Sequence, residues 1–193
     1  AATGRPSAVG GPRPASGHPL LGAPIPIATQ PDRHLFQQQI SVQQLPFLAE
    51  HQVHGEIVVP GVAYIEMALS AAQQVFRCPQ VALSDLKFER FLTLASGDNV
   101  VLQFDAMQTD AEHAGFTISA RGTDQPSWQK HAVGRLDRSP PAEPPTPSAS
   151  LEVLRGRVAQ SLQPEELYQA AQAQGFRLGP AFCDPARLLP VGQ

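Results

Sequence analysis

The sequence lacks the features that mark several classes of protein. Its only two cysteines, Cys78 and Cys183, lie far apart and fit neither a disulfide framework nor a CxxC metal site. It has no run of five or more basic residues, and 14 basic against 17 acidic residues give a net charge of -3. Because nucleic-acid binding depends on clustered positive charge, this composition argues against DNA or RNA as the main partner.

Long apolar runs are also missing. No stretch approaches the roughly 20 apolar residues that cross a bilayer, so we expect no membrane partner. The first residues, AATGRPSAVGGPRPASG, lack the apolar centre of a signal peptide, and we expect a reducing, cytoplasmic location. A hydrophobic content of 42% is nevertheless enough to build a core, and 193 residues suit one domain or one domain plus part of a second.

Two stretches rich in proline, glycine and small residues divide the chain. Residues 1–17 cannot bury enough apolar surface to fold, and RSPPAEPPTPSAS carries five prolines, which is typical of a semi-rigid spacer. The predicted organisation is listed in chain order: a linker at 1–17, a folded unit at 18–138, a second linker at 139–160, and the beginning of an incomplete second unit at 161–193.

The helix predicted most clearly follows Pro60 and covers 61–76, before Pro79 stops it. Its apolar residues recur at intervals of three and four, and others widen the stripe to much of the circumference. The positions of the stripe are Val62, Ile65, Leu69, Ala72 and Phe76. A helix that is apolar on so many sides should be surrounded by other structure.

Strands are predicted on both sides of this helix. Segments with partial alternation and β-branched or aromatic residues lie at 33–42, 81–94, 98–108, 115–122 and 127–137. One buried helix followed by a four-stranded antiparallel meander predicts an α+β fold with the sheet curled around the helix. A further short helix is predicted in PEELYQAAQAQG, with Pro164 in its first turn and Gly175 as its stop.

The segment HQVHGEIVVP places His51 four residues before Gly55 and nine before Pro60. Taken alone, such a histidine is more often structural than catalytic. His54 suggests a paired metal ligand, but the extended context and the lack of further ligands disfavour a metal site.

Other residues with reactive side chains receive structural interpretations. We expect Glu50 to be solvated or hydrogen-bonded, His131 to be structural, and Cys183 to be an inert thiol because no histidine lies near it in sequence. Tyr64 and Met67 are expected to line the core or a tunnel.

His51, Gly55 and Pro60 fit the HxxxGxxxxP signature of the dehydratase domains of modular polyketide synthases and animal-type fatty acid synthases, which this chain resembles. The surrounding segments are similar to that family in the same order. They are HPLLG at the start, FLAEH as the strand before the catalytic histidine, PGVAYIEMAL at the helix, WQKHAVGRL in the last strand of the first half, and LGPAF in place of YGPxF. Leu178 stands where tyrosine is usual, and the resemblance runs from about His18 to the end.

This resemblance implies a hotdog fold, in which a curved antiparallel sheet wraps one helix, and the chain would be the first half of a double hotdog. It implies His51 as the catalytic base and an aspartate from the second unit as its partner. We find no such aspartate, since DPARLLPVGQ would place Leu189 at that position and follows LGPAF too soon. We expect residues 186–193 to form a first strand of the second unit.

The expected reaction is removal of water from a β-hydroxyacyl thioester. Histidine suits the base because its ordinary pKa of roughly 6.5 leaves a neutral ring near neutral pH. A glycine permits close backbone approach, and a helix N-terminus offers N–H groups where negative charge develops. The residues that the resemblance assigns to substrate binding are Gly55, Pro60, Gly61, Val62, Leu178, Gly179, Pro180 and Phe182.

The resemblance also implies partners. The acyl chain would arrive on the phosphopantetheine arm of an acyl carrier protein, with no metal or redox cofactor, beside neighbouring synthase domains and in a homodimeric synthase. An apolar flank should await the second unit, so the isolated segment should associate or aggregate. Two alternatives stay open: a non-catalytic structural domain, and a same-fold isomerase, pyran-forming or product-template cyclase domain.

Overall fold

The computed structural model describes residues 18–95, 97–123, 126–138, 150, 153 and 164–183. The predicted linker at 1–17, nearly all of the second linker and the strand predicted over 186–193 lie outside the described residues. The proposed domain boundaries therefore stay predictions.

The larger of two sheets has six antiparallel strands in the order β1-β2-β7-β8-β9-β5. Their bounds are Ala23–Ile25 (β1), Arg33–Ile40 (β2), Val100–Gln108 (β7), His113–Gly122 (β8), Gln129–Asp137 (β9) and Ala82–Phe88 (β5). Burial alternates along β7 and β8, because successive side chains of a strand point to opposite faces of the sheet. One face is thereby committed to the core.

The smaller sheet has four short antiparallel strands in the order β10-β3-β4-β6. These are His51–Val53 (β3), Glu56–Val58 (β4), Thr93–Leu94 (β6) and Phe176–Leu178 (β10). The sheet therefore joins parts of the chain that are distant in sequence.

The principal helix, α1, runs from Gly61 to Phe76, as predicted, and ends at Arg77 in the left-handed conformation with φ 50°. A short 3₁₀ helix covers Pro46–Glu50, α2 covers Pro164–Ala173 and α3 covers Pro180–Cys183. The predicted helix beginning at Pro164 is confirmed. Within the described ranges, no helix has the length and apolar character needed to span a bilayer.

The core forms where α1 packs against the inner face of the larger sheet. Tyr64 and Met67 are buried in it, together with the small side chains of α1 that allow close packing. Phe104 is fully buried, stacks on Phe116 at 5.0 Å between ring centroids and meets the edge of Phe36 at 6.2 Å. The predicted core role of Tyr64 and Met67 is confirmed.

Two details of the predicted strands are wrong. The segment 81–94 is not one strand: β5 ends at Phe88, and the backbone N–H groups of Glu89 and Arg90 both donate to the His131 carbonyl of β9. Its first part, β5, pairs with β9 at the sheet edge, and its last part, β6, joins the smaller sheet. The four predicted strands therefore do not form one sequential meander.

The predicted strand in FLAEH is also wrong. Pro46 begins a 3₁₀ helix that ends at Glu50, and the strand starts only at His51. Proline at the start of this helix favours the turn because its φ is already fixed. An N–H at this position would have no acceptor within the helix, so its absence from proline costs nothing.

Candidate active site

A tight hairpin carries the central histidine. Strands β3 and β4 are joined by His54 and Gly55, which adopt φ of 51° and 85°. Two successive residues with positive φ are typical of the turns that match the twist of a hairpin. Gly55 lies at the exposed tip, where an added Cβ would meet nothing within 4 Å. The turn conformation explains the glycine, and the structure places it at the far end of the hairpin from His51.

The ring of His51 is held from within the same hairpin. Its Nδ1 lies 2.9 Å from the carbonyl oxygen of Val58, and the side chain is half-buried. A carbonyl oxygen only accepts hydrogen bonds, so Nδ1 carries the proton and donates it. Nε2 of the neutral ring is then the nitrogen with an available lone pair.

The hairpin leads directly into α1. Val58 is followed by buried Val59 and Pro60, and Pro60 is the N-cap with φ -67° and ψ 143°. Among the described residues, no side chain caps this helix. The first N–H groups of a helix have no intrahelical acceptor. Gly61 and Val62 therefore present donors directly after β4, the strand whose Val58 binds the His51 ring. Val58 thus connects His51 to the start of α1: its carbonyl binds the His51 ring, and it lies two residues before the N-cap Pro60.

Apolar side chains lie around the start of α1. Val62 is 64% exposed, and the 54% exposed ring of Phe88 lies against the Gly61 backbone, 3.1 Å from where a Cβ would stand. Phe91, three residues further along the chain, is 77% exposed. Val62, Phe88 and Phe91 are thus large apolar side chains left exposed, and the expectation of a flank for a second unit stays a prediction.

The segment LGPAF lies beside His51. Strand β10 pairs antiparallel with β3, with Leu178 opposite His51. The His54 N–H donates to the Gly175 carbonyl at 2.7 Å. The ring of Phe182 lies 5.2 Å from the His51 ring between centroids and contacts Phe47 at 6.5 Å. Of the predicted binding residues, Leu178 and Phe182 are thus brought to the histidine.

Gly179 and Pro180 connect β10 to α3. The Gly179 N–H donates to the Glu50 carbonyl at 2.8 Å, and exposed Pro180 begins the short helix. Glu50 is hydrogen-bonded, one of the two states expected for it, and its Oε2 also accepts from the Ala181 N–H at 2.5 Å, a partner that the sequence did not indicate. Its position directly before the histidine was the available signal, but its partner lies 131 residues away.

His131 and Cys183 are each hydrogen-bonded to a backbone carbonyl. His131 is 3% exposed and donates from Nδ1 to the Arg90 carbonyl, and burial lowers its pKa. Cys183 donates from Sγ to the Leu178 carbonyl at 3.2 Å, and burial raises the pKa of the thiol, which disfavours the reactive thiolate. In the described part of the chain, no group of three or more His, Cys, Asp or Glu side chains could hold a metal ion.

Comparison with known sequences gives consistent relatives. A family model described as "Polyketide synthase dehydratase domain" matches residues 18–121. The mycocerosic acid synthase-like polyketide synthase of Mycobacterium tuberculosis is 33% identical over 172 residues, and polyketide synthase GfsE of Streptomyces halstedii is 34% identical over 175 residues. Each match covers 86% of this chain, which spans only 8% and 4% of those two proteins.

Solved structures show the same fold. The dehydratase domain from the CurF module of the curacin polyketide synthase superposes with a TM-score of 0.76 at 28% identity, covering 86% of this chain and 60% of that domain. The dehydratase domain of a mycocerosic acid synthase-like synthase gives 0.73 at 29% identity, covering 86% of this chain and 55% of that one. An inactive histidine-to-phenylalanine mutant of the CurJ dehydratase gives 0.71 at 26% identity, covering 84% and 54%. The α+β hotdog class is confirmed, and the coverage agrees with the first half of a double hotdog.

Proposed function

The chain belongs to the polyketide synthase dehydratase family, and from that premise we propose that it removes water from a β-hydroxyacyl chain to give an α,β-enoyl thioester. His51 is the general base in this proposal. The observation that carries it is the hydrogen bond from Nδ1 to the Val58 carbonyl, which leaves Nε2 as the acceptor.

The proposed reaction balances as follows. Nε2 of His51 takes the proton from the α-carbon, and the electrons of that C–H bond form the α,β double bond as the bond to the β-oxygen breaks. The leaving oxygen takes a proton from an acid and departs as water. We propose an aspartate of the synthase as that acid, which this sequence does not supply at a matching position.

Negative charge develops on the thioester oxygen during proton removal. The N–H groups of Gly61 and Val62 at the start of α1 support the proposal that this charge is stabilised there, since a helix N-terminus carries partial positive charge. Loss of one such donor typically lowers a rate by about 10²–10³. Pro60, Gly179 and Pro180 would shape the site rather than donate to it, whereas Gly55 would form the hairpin turn at the far end from His51.

The relatives support a histidine-dependent reaction. The CurJ dehydratase is inactive when a histidine is replaced by phenylalanine, which is the behaviour expected of a catalytic base. The relatives are polyketide synthases, and we propose neighbouring synthase domains, an acyl carrier protein with its phosphopantetheine arm, and a homodimeric synthase as the setting. We propose no metal or redox cofactor and a cytoplasmic location.

The test uses a synthase module that contains this sequence, supplied with a β-hydroxyacyl group on its carrier protein. His51→Ala should lower kcat by about 10²–10⁴ because general acid–base catalysis contributes that range. His34→Gln, in strand β2 of the larger sheet, is the matched control and should leave the rate unchanged.

Mass spectrometry of the carrier-bound product measures the loss of water. Parental dehydration by His51→Ala would contradict the base assignment. A shifted double bond or a closed ring in place of a new double bond would identify an isomerase or cyclase, and an unchanged substrate with the parental module would favour a structural domain.

A further inference from the structure

Glu50 binds the segment that follows β10 through two different acceptors. Its backbone carbonyl accepts from the Gly179 N–H at 2.8 Å, and its carboxylate accepts from the Ala181 N–H at 2.5 Å. We propose that Glu50 is a positioning residue, which holds Phe182 against the His51 ring and so fixes the base. This inference rests on the proposed dehydratase function.

The carboxylate occupies the start of α3. Pro180 begins this short helix and has no N–H, so Ala181 offers the first backbone donor of the turn. A carboxylate that accepts a backbone N–H at a helix start makes a charge-assisted bond, which is stronger than a neutral one. The bond thus sets the direction in which α3 leaves β10.

The Glu50 side chain also packs closely against Gly179. A Cβ at Gly179 would lie 2.8 Å from the Cβ, Cγ and Oε2 of Glu50, closer than real Cβ contacts allow. The side chain of Glu50 therefore lies directly on the Gly179 backbone, and the glycine is required by this contact. The φ of Gly179 is not in the left-handed region, so the requirement is steric.

Phe182 transmits this arrangement to the histidine. It follows Ala181 directly in α3, and its ring lies 5.2 Å from the His51 ring at an interplanar angle of 55°. Phe47 also lies near Phe182, with 6.5 Å between the ring centroids. The imidazole is therefore constrained twice, by the hydrogen bond from Nδ1 to Val58 and by the contact with the Phe182 ring. Glu50 sets the position of Phe182 through its bond to Ala181.

The segment has other attachments that do not depend on the carboxylate. Strand β10 pairs with β3 over three residues, and the His54 N–H donates to the Gly175 carbonyl. Removing the carboxylate should therefore leave β10 in place and release the direction of α3. A positioning role and a purely structural role thus predict different results.

The first experiment measures the imidazole directly in the 193-residue chain, at a dilution at which light scattering shows a monomer. In Glu50→Ala, the ring-proton NMR shifts of His51 should move, because the ring-current effect of Phe182 changes with its position. Glu50→Gln keeps an oxygen acceptor for Ala181 and should retain the parental shifts. Glu56→Ala removes an exposed glutamate of β4 in the same hairpin and should also retain them.

The second experiment measures catalysis in the synthase module. Glu50→Ala should lower kcat by about 10- to 100-fold with little change in KM, since a small displacement of a catalytic group has effects of that size. Glu50→Gln should restore most of the rate. Gly179→Ala is an independent variant that displaces the carboxylate without removing it, and it should lower kcat in the same direction.

The outcomes separate the two hypotheses. Unchanged His51 shifts and an unchanged kcat in Glu50→Ala, while His51→Ala still abolishes dehydration, overturn the positioning role and leave the proposed function standing. A loss of rate in Glu50→Gln equal to that in Glu50→Ala also overturns it, because the acceptor is retained. Parental dehydration by His51→Ala overturns the proposed function whatever the NMR shows.

Discussion

The two sheets of this chain are built in different ways. The larger sheet has strands of up to ten residues, and it covers α1 with side chains that alternate between buried and half-buried. The smaller sheet has strands of two or three residues, and all three residues of β3 are only half-buried. Its parts are joined by hydrogen bonds between distant segments. The comparison teaches that the proposed base lies on the sheet whose strands are short, and not on the long strands that form the core.

The largest expected effect concerns the buried face of the larger sheet. Phe104→Ala should lower the free energy of unfolding by about 3–5 kcal/mol, because it removes a fully buried ring and leaves a cavity beside Phe116. Urea unfolding followed by circular dichroism measures the change. Met107→Ala, at a 42% exposed position of the same strand, is the control and should cost far less. Equal losses would show that alternation does not mark the core.

The next effect is a pH dependence that arises in the larger sheet. Burial lowers the pKa of His131 below its ordinary value of 6.5, and the charge of Arg90 lowers it further, against the raising effect of two backbone carbonyls. Below about pH 6.5 the unfolded chain therefore binds more protons than the folded chain, and the free energy of unfolding falls as the pH drops to the folded-state pKa. One group contributes at most about 1.4 kcal/mol per pH unit.

Urea midpoints measured across that pH window check this prediction. His131→Gln can still donate to the Arg90 carbonyl but does not titrate, so its pH profile should be flatter than that of the parent. An identical slope in both proteins would assign the acid sensitivity to other groups.

A third prediction concerns the smaller sheet. Gly55→Ala should cost about 1–2 kcal/mol, since an L-residue with a Cβ is strained at φ 85° although nothing fills the space around it. Gly55→Asn should cost less because asparagine tolerates the left-handed conformation. Thermal unfolding of both variants measures the difference. Equal costs would indicate that the loss of stability does not come from backbone strain.

The smallest effect is expected at the surface of α1. His18 contacts Glu66 at 3.1 Å, and the glutamate side chain is 58% exposed. Glu66→Gln should change stability by about 0.2–1 kcal/mol at most, and less at high salt, because solvent and ions screen exposed pairs. Denaturant titration at two salt concentrations checks this. A larger cost would mean that the HPLLG turn is attached to α1 mainly by charge.

The sequence was most informative where periodicity is local. The stripe of α1 and the alternation in β7 and β8 predicted those elements, because one buried face forces the pattern on the residues. The split of 81–94 was not predicted, since the apolar pattern continues through the point where β5 ends at Phe88 and the chain passes to β6 of the smaller sheet. The order of apolar residues along one segment does not show which distant strand each part of the segment pairs with.

The same limit applies to the site. Spacing and resemblance placed His51 near the start of α1, but the tautomer depends on Val58, and only the folded hairpin shows that contact. The pairing of LGPAF with β3 and the two acceptors of Glu50 join positions more than 120 residues apart, and one sequence does not show which of these positions meet. The sequence thus indicated the types of residue in the site, but not which distant residues contact each other.

The pairing of β10 with β3 bears on how such synthases are recombined. A designer who chose the proline-rich run after Arg138 as a junction would separate two strands that hydrogen-bond to each other. The resulting hybrid would pair β3 and the Glu50 carboxylate with a β10 segment from another parent, so these contacts would no longer be matched even though every residue of HxxxGxxxxP is retained. Modules exchanged between synthases should therefore carry both segments from the same parent.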